Sequence, residues 1–80
     1  MKATVLVRPK QGILDPQGQA VSSSLRHLGF AVDDARVGRL VDVDLRTDDR
    51  EEALAQLRQM CEQLLTNPLI EGYEIELDRE

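Results

Sequence analysis

The 80-residue chain holds one cysteine, Cys61, so neither an intramolecular disulfide nor a multi-cysteine zinc site can be built from it, and a reducing compartment suits it. Its aromatics are Phe30 and Tyr73 alone, which leaves Leu, Val, Ile and Ala to make the core. Basic residues are outnumbered: 10 Lys and Arg stand against 15 Asp and Glu, a formal charge of −5. That balance argues against nucleic acid and against a membrane surface as partners, because both are held by basic patches. No apolar run approaches the roughly 18 residues of a membrane span, and the opening run ends at Arg8 and Pro9. No targeting signal is visible, and the expected location is cytoplasmic. What is present, 41% hydrophobic and 31% charged residues, is the profile of a folded domain. The expectation is a single domain over 1–80, small enough to lean on a partner for stability.

Ala3 to Arg8 is β-branched and apolar on both parities, as a strand buried on both sides would be, and Pro9 ends it. Asp15-Pro16 opens a helix in the usual order, with the carboxylate as N-cap and proline at the first helical position. Val21, Leu25 and Leu28 recur at i, i+4 and i+7, so a stripe of this helix is expected to face the core. Gly29 ends it as the left-handed residue, with Phe30 placed to touch Leu25. Val32 to Arg46 alternates as strand, either one long bent strand or two paired about Gly38. A second helix follows, with Asp48 as N-cap and Glu51 in the capping-box position. Its core stripe is Ala53, Leu54, Leu57, Met60, Cys61, Leu64 and Leu65. Asn67-Pro68 closes it, and Tyr73 to Leu77 alternates as a last strand with an acidic outer face. The sum is α+β: an antiparallel sheet with two helices packed on one face, ferredoxin-like β-α-β(β)-α-β.

Catalytic chemistry is hard to find. His27, the lone histidine, falls in the last helical turn, where an imidazole suits the dipole better than it suits general-base work with no nucleophile near. Cys61 lies on the apolar stripe and reads as core filler. Asp42, Asp44, Glu74 and Glu76 have the spacing of a solvated strand face rather than of a metal site. No Gly-rich phosphate loop is present. The unusual feature is a set of loops that are apolar and basic inside an acidic chain, which reads as a contact surface.

Those loops carry a resemblance. Pro9-Lys10, the run Gly12-Ile13-Leu14-Asp15-Pro16-Gln17-Gly18, Leu28-Gly29-Phe30, Arg36-Val37-Gly38-Arg39, Met60-Cys61 and Leu64 to Glu71 closely resemble, in order and over nearly the whole chain, the PurS-type small subunits of phosphoribosylformylglycinamidine synthase. Arg39 stands where the family commonly has lysine. The resemblance implies a non-catalytic part in purine biosynthesis. In that family a glutaminase subunit releases ammonia, a synthetase subunit uses ATP and Mg to install it on formylglycinamide ribonucleotide, and the small subunit, a dimer or tetramer of itself, bridges the two. No cofactor and no metal are then expected on this chain. Partner contacts are expected at Lys10, Gly12, Asp15, Pro16, Gln17, Gly18, Arg36, Gly38 and Arg39, with the long strand and the Tyr73 to Leu77 edge making the homodimer. The competing readings are a small-molecule sensor resembling ACT domains, with its ligand near Gly12 or Gly38, and an acylphosphatase-like enzyme. The latter wants an Asn in an anion-cradling loop after the first strand, where this chain has Gln11.

Overall fold

Strand β1 (Lys2–Pro9) is the middle of a three-stranded antiparallel sheet, flanked by β2 (Arg39–Asp44) and β3 (Glu71–Leu77). The structure is a computed structural model and describes residues 1–77. The registers set Val5 between Val41 and Ile75, and Ala3 between Val43 and Leu77. One sheet face is therefore a block of small and branched apolar side chains. Helix α2 (Arg50–Met60) lies on that face, burying Ala53 and Leu57, with Cys61 one turn beyond. Helix α1 (Pro16–His27) completes the chain's α+β architecture of three antiparallel strands and two helices, the class expected.

The details depart from expectation where tertiary partners decide. Ala3, Val5 and Val7 of β1 are buried, whereas Thr4 and Leu6 on the opposite face are half-exposed because no layer among the described residues covers them. Residues 32–46 are neither one long strand nor a hairpin, since the ladder with β1 holds only Arg39–Asp44. The preceding segment runs along α1 instead. There the Arg26 guanidinium donates to the carbonyls of Val32 and Asp33 at 2.9 and 3.3 Å, and the Val37 N–H donates to Asp15. Side chains thus satisfy backbone groups that a strand would have paired.

Asp15 caps α1, Pro16 sits in its first turn, and Gly29 takes φ +98°. The Phe30 N–H donates to the Leu25 carbonyl and Gly29 to Arg26, both at 3.0 Å, which is the Schellman pattern. The expected core stripe of α1 does not form within the chain. Its buried residues are Gly18 and Ser22, Leu25 is half-buried, and Val21 and Leu28 are exposed. With α1 off the core the radius of gyration is 15.8 Å, against about 12 Å for a compact chain of this length.

The cap of α2 is Asp49 rather than Asp48. Thr47 Oγ1 accepts the Asp49 N–H at 3.1 Å, which turns the Asp49 carboxylate onto the Glu51 N–H at 3.0 Å. After Met60 the helix widens into a π turn, Cys61–Leu65, closed where the Thr66 N–H and hydroxyl both donate to the Cys61 carbonyl. The wider turn rotates Leu64 away from the core, where the 3.6-residue stripe would have put it, and it is 82% exposed.

Candidate functional site

The apolar and basic loops converge at one end of the sheet, where β1 ends and both β2 and β3 begin. The expected contact residues are brought together there, and Lys10, Asp15, Arg36 and Arg39 bind one another's loops. Lys10 ties the first loop to the third: its N–H donates to the Ile70 carbonyl at 2.8 Å and its ammonium to the Pro68 carbonyl at 2.7 Å. Gly12, at φ +85°, is the third residue of a turn closed by the Ile13 N–H on the Lys10 carbonyl, a conformation that favours glycine. Arg36 spans the first and second loops, donating from Nη2 to the carbonyls of Pro9 and Lys10 at 3.1 and 2.8 Å.

Asp15 is the centre of this arrangement. One carboxylate oxygen accepts the Gly18 N–H at 3.0 Å and the other the Val37 N–H at 2.9 Å, so a single side chain caps α1 and fastens the second loop. The Val37 and then the Gly18 hydrogen bonds hold its carboxyl below its ordinary value of 3.8, helped by Arg36 and opposed by desolvation. Gly18 is buried so closely that a Cβ there would overlap the Ala35 carbonyl and the Asp15 carboxylate.

Arg39 shares the core side of the sheet with Val7, so its side chain reaches under the end of β1. Its guanidinium grips Glu71 through both nitrogens at 2.6 and 2.9 Å and caps the π turn at the Leu65 carbonyl, 2.6 Å away. The Arg39 hydrogen bond, then that of the Asn67 N–H, draws the Glu71 carboxyl below its ordinary 4.5, and Glu71 in turn raises Arg39. Asn67 and Glu71 belong to the third of the loops singled out from sequence but not to the expected partner contacts. Their role depends on strand register, which places Glu71 and Arg39 on opposite sides of β1 at the same end.

Once these pairs are made, the outward-facing residues are Pro16 and Gln17, together with Leu14 at 75% and Leu69 at 84% exposure. Ile13, Leu14, Gln17, Gly38 and Ile70 line one shallow depression across the three loops. The end is a tip tied together by hydrogen bonds to backbone groups and by the Arg39–Glu71 pair, with apolar side chains turned outward, the kind of surface that docks another protein. It holds no nucleophile beside a base. His27 is exposed at the far end of α1, and Cys61 is buried in the core, where burial and then the Glu62 charge push its thiol up. Among the described residues no three His, Cys, Asp or Glu side chains gather as metal ligands. The acidic outer strand face is instead partnered by Thr4, whose hydroxyl donates to Asp42 at 2.8 Å, and by Arg8, 3.3 Å from Glu74.

The two depressed carboxyls set an acid limit on this end. Their ionised forms are favoured in the folded chain, so their stabilisation is complete above the ordinary values of 3.8 and 4.5 and is lost as pH falls through the lower folded values. Thermal unfolding followed from pH 7 to pH 3 is expected to show a midpoint falling below about pH 4.5. The fall should be shallower in Asp15→Asn and Glu71→Gln; an unchanged slope in both would remove these carboxylates from the explanation.

Residues 2–79 match the family model described as PurS, phosphoribosylformylglycinamidine (FGAM) synthase. The chain is 40% identical over 76 residues to the phosphoribosylformylglycinamidine synthase subunit PurS of Archaeoglobus fulgidus, covering 94% of this chain and 95% of that one. It superposes on the crystal structure of Methanocaldococcus jannaschii PurS with a TM-score of 0.86 at 32% identity, over 99% and 96% of the two chains. A chain of the structure described as PurLQS from Thermotoga maritima gives a TM-score of 0.86 at 29% identity, over 94% and 93%.

Proposed function

Because the chain belongs to the PurS family, small subunits of the ATP-dependent ligase phosphoribosylformylglycinamidine synthase in purine biosynthesis, we propose that its loop-built tip docks it between the glutaminase and synthetase subunits. The match over residues 2–79 carries this reading, and the T. maritima structure described as PurLQS supports the assembly. The physical task is proximity. Ammonia released at one active site is lost to protonation and diffusion unless the consuming site is docked close by, so a rigid clamp raises flux without touching either reaction.

In this proposal Asp15, Gly18, Arg36, Gly38 and Arg39 shape the tip, while Leu14, Gln17 and Leu69 meet the larger subunits and Lys10 lies at the rim. Exposed leucines held by hydrogen-bonded loops reach a partner with little ordering cost. This chain carries no catalytic residue and no cofactor in the proposal; ATP and Mg belong to the synthetase subunit. The described residues contain no helix long and apolar enough to cross a membrane, and a cytoplasmic setting is proposed with the pathway.

The test is reconstitution with the other two subunits. Omitting this chain is expected to abolish glutamine-driven turnover and to leave ammonia-driven turnover standing, and Leu14→Asp with Leu69→Asp should do the same. Equal turnover with and without the chain would sink the bridge and favour a sensor role.

A further inference from the structure

The third loop of the tip runs from the end of the π turn to the start of β3, and it carries Leu69 out into solvent. Inside the loop one residue organises the backbone. The Asn67 carbonyl accepts the Ile70 and Glu71 N–H groups at 3.1 and 2.8 Å, and its side-chain Oδ1 accepts the Leu69 N–H at 3.2 Å. Pro68 has no N–H to satisfy. The loop is thus a closed unit whose tilt is decided at its two stems, and both stems meet one side chain. From β2, Arg39 Nη2 reaches the Leu65 carbonyl on the entering stem, while Nη1 and Nη2 together hold the Glu71 carboxylate on the leaving stem. Glu71 passes the tie back into the loop by accepting the Asn67 N–H at 2.7 Å.

We infer that Arg39 is the positioning residue of the docking tip: it meets no partner itself, and it fixes the tilt at which the third loop presents Leu69 to a larger subunit. This rests on the docking reading above and adds to it the residue on which the geometry of that contact depends. Both terminal guanidinium nitrogens are engaged by the loop stems, and the side chain leaves β2 on the core side of the sheet, the side of Val7. The chemistry calls for a fork. A planar guanidinium aligns with two carboxylate oxygens and still has a donor for a carbonyl, whereas an ammonium is a point charge that sets no plane. Lys10 shows the difference, since its ammonium holds the Pro68 carbonyl by one bond and so tethers the loop without orienting it.

Stability and docking part company at this residue. The Arg39 side chain is half-exposed, and ion pairs so placed add little to folding. Docking is more sensitive, because residues left free to move must be ordered when the partner arrives, at a cost in the backbone freedom of each. With the stems released, that cost at Pro68, Leu69 and Ile70 falls on the complex rather than on the fold.

The experiment titrates the full chain into the two larger subunits and reads glutamine-driven turnover for its half-maximal chain concentration and its plateau, with thermal unfolding as the folding check. Arg39→Met keeps the stem of the side chain and removes the fork. It is expected to raise the half-maximal concentration at least about tenfold, to leave the plateau unchanged, and to lower the thermal midpoint by less than about 5 °C. Arg39→Lys keeps the charge and should return to within about threefold of the unmodified chain. Leu69→Ala should weaken docking about tenfold, and adding Arg39→Met to it should cost less than about twofold more, since the side chain being positioned is gone. If Arg39→Met does not fold, Glu71→Gln loosens the same clamp from its other side and is expected to give the same shift. Unchanged docking in the Arg39 and Glu71 variants, with Leu69→Ala impaired, overturns the positioning role. Full additivity of Arg39→Met with Leu69→Ala overturns the route through the loop. Docking unmoved by Leu69→Ala removes the third loop from the contact and the proposal with it, whereas turnover that ignores the chain altogether overturns the docking reading itself.

Discussion

Replacing Gly38 by valine is expected to cost about 3 kcal/mol, the upper end for overpacking, and to lower the thermal midpoint by roughly 10–20 °C. Gly38 precedes β2 where the chain crosses the end of β1, and a Cβ there would overlap the Val7 carbonyl oxygen while lying 3.3 Å from its carbon and 3.4 Å from Arg8 Cα. The obstruction is backbone in the central strand, so no rotamer change relieves it. The second loop must move outward. That strains the Val37 N–H on Asp15 and the Arg36 guanidinium on Pro9 and Lys10, the links that hold the tip together. Docking to the larger subunits should be lost along with the stability. Gly72→Ala is the control, since a Cβ at Gly72 meets nothing within 4 Å. Equal midpoints for the two variants would show that the Gly38 contact has no structural weight.

Local chemistry was legible in the sequence wherever neighbouring residues decide it. Asp15-Pro16 and Gly29-Phe30 bound α1 as their types require, because caps are settled within a few residues. The alternation Tyr73 to Leu77 gave a strand for the same reason, extended by the register to Glu71. Parity alone did not fix Val32 to Val37, whose backbone is claimed by Asp15 and Arg26 at a distance, nor Leu64, which a π turn carries out of a stripe drawn for 3.6 residues. Asp48 and Asp49 are equivalent as caps until Thr47 chooses between them.

The site shows the same division. Residue types named Lys10, Asp15, Arg36 and Arg39, but not that they would meet at one sheet end, because that depends on the order β2-β1-β3. Glu71 closes the Leu64 to Glu71 run that carries the resemblance, but nothing local marks it as the partner of Arg39. It becomes visible only when antiparallel pairing brings it within reach of Arg39. The stripe of α1 is apolar, as its period indicates, but it is not part of the core. Periodicity reports that a face is to be buried, and it is silent on which chain does the burying.

That silence gives Leu57→Ala a particular signature. Leu57 is fully buried at the middle of a core of seven apolar residues. Truncating it is expected to cost about 2–5 kcal/mol through lost contacts and a cavity, against roughly 4–12 kcal/mol for a domain of this length. A lone copy has little margin for that loss, and α1 offers no packing to offset it. If a second copy contributes to folding, raising the protein concentration 100-fold adds about 2.7 kcal/mol per dimer, or about 1.4 kcal/mol per chain, by mass action. Leu57→Ala should therefore be largely unfolded when dilute and regain folded population on concentration. The unmodified chain should be folded throughout, with a urea midpoint that also climbs with concentration. Urea titrations at two concentrations 100-fold apart measure both effects. A loss below about 1 kcal/mol would place the centre of the core elsewhere, and midpoints independent of concentration would mean that each copy folds without help from the other.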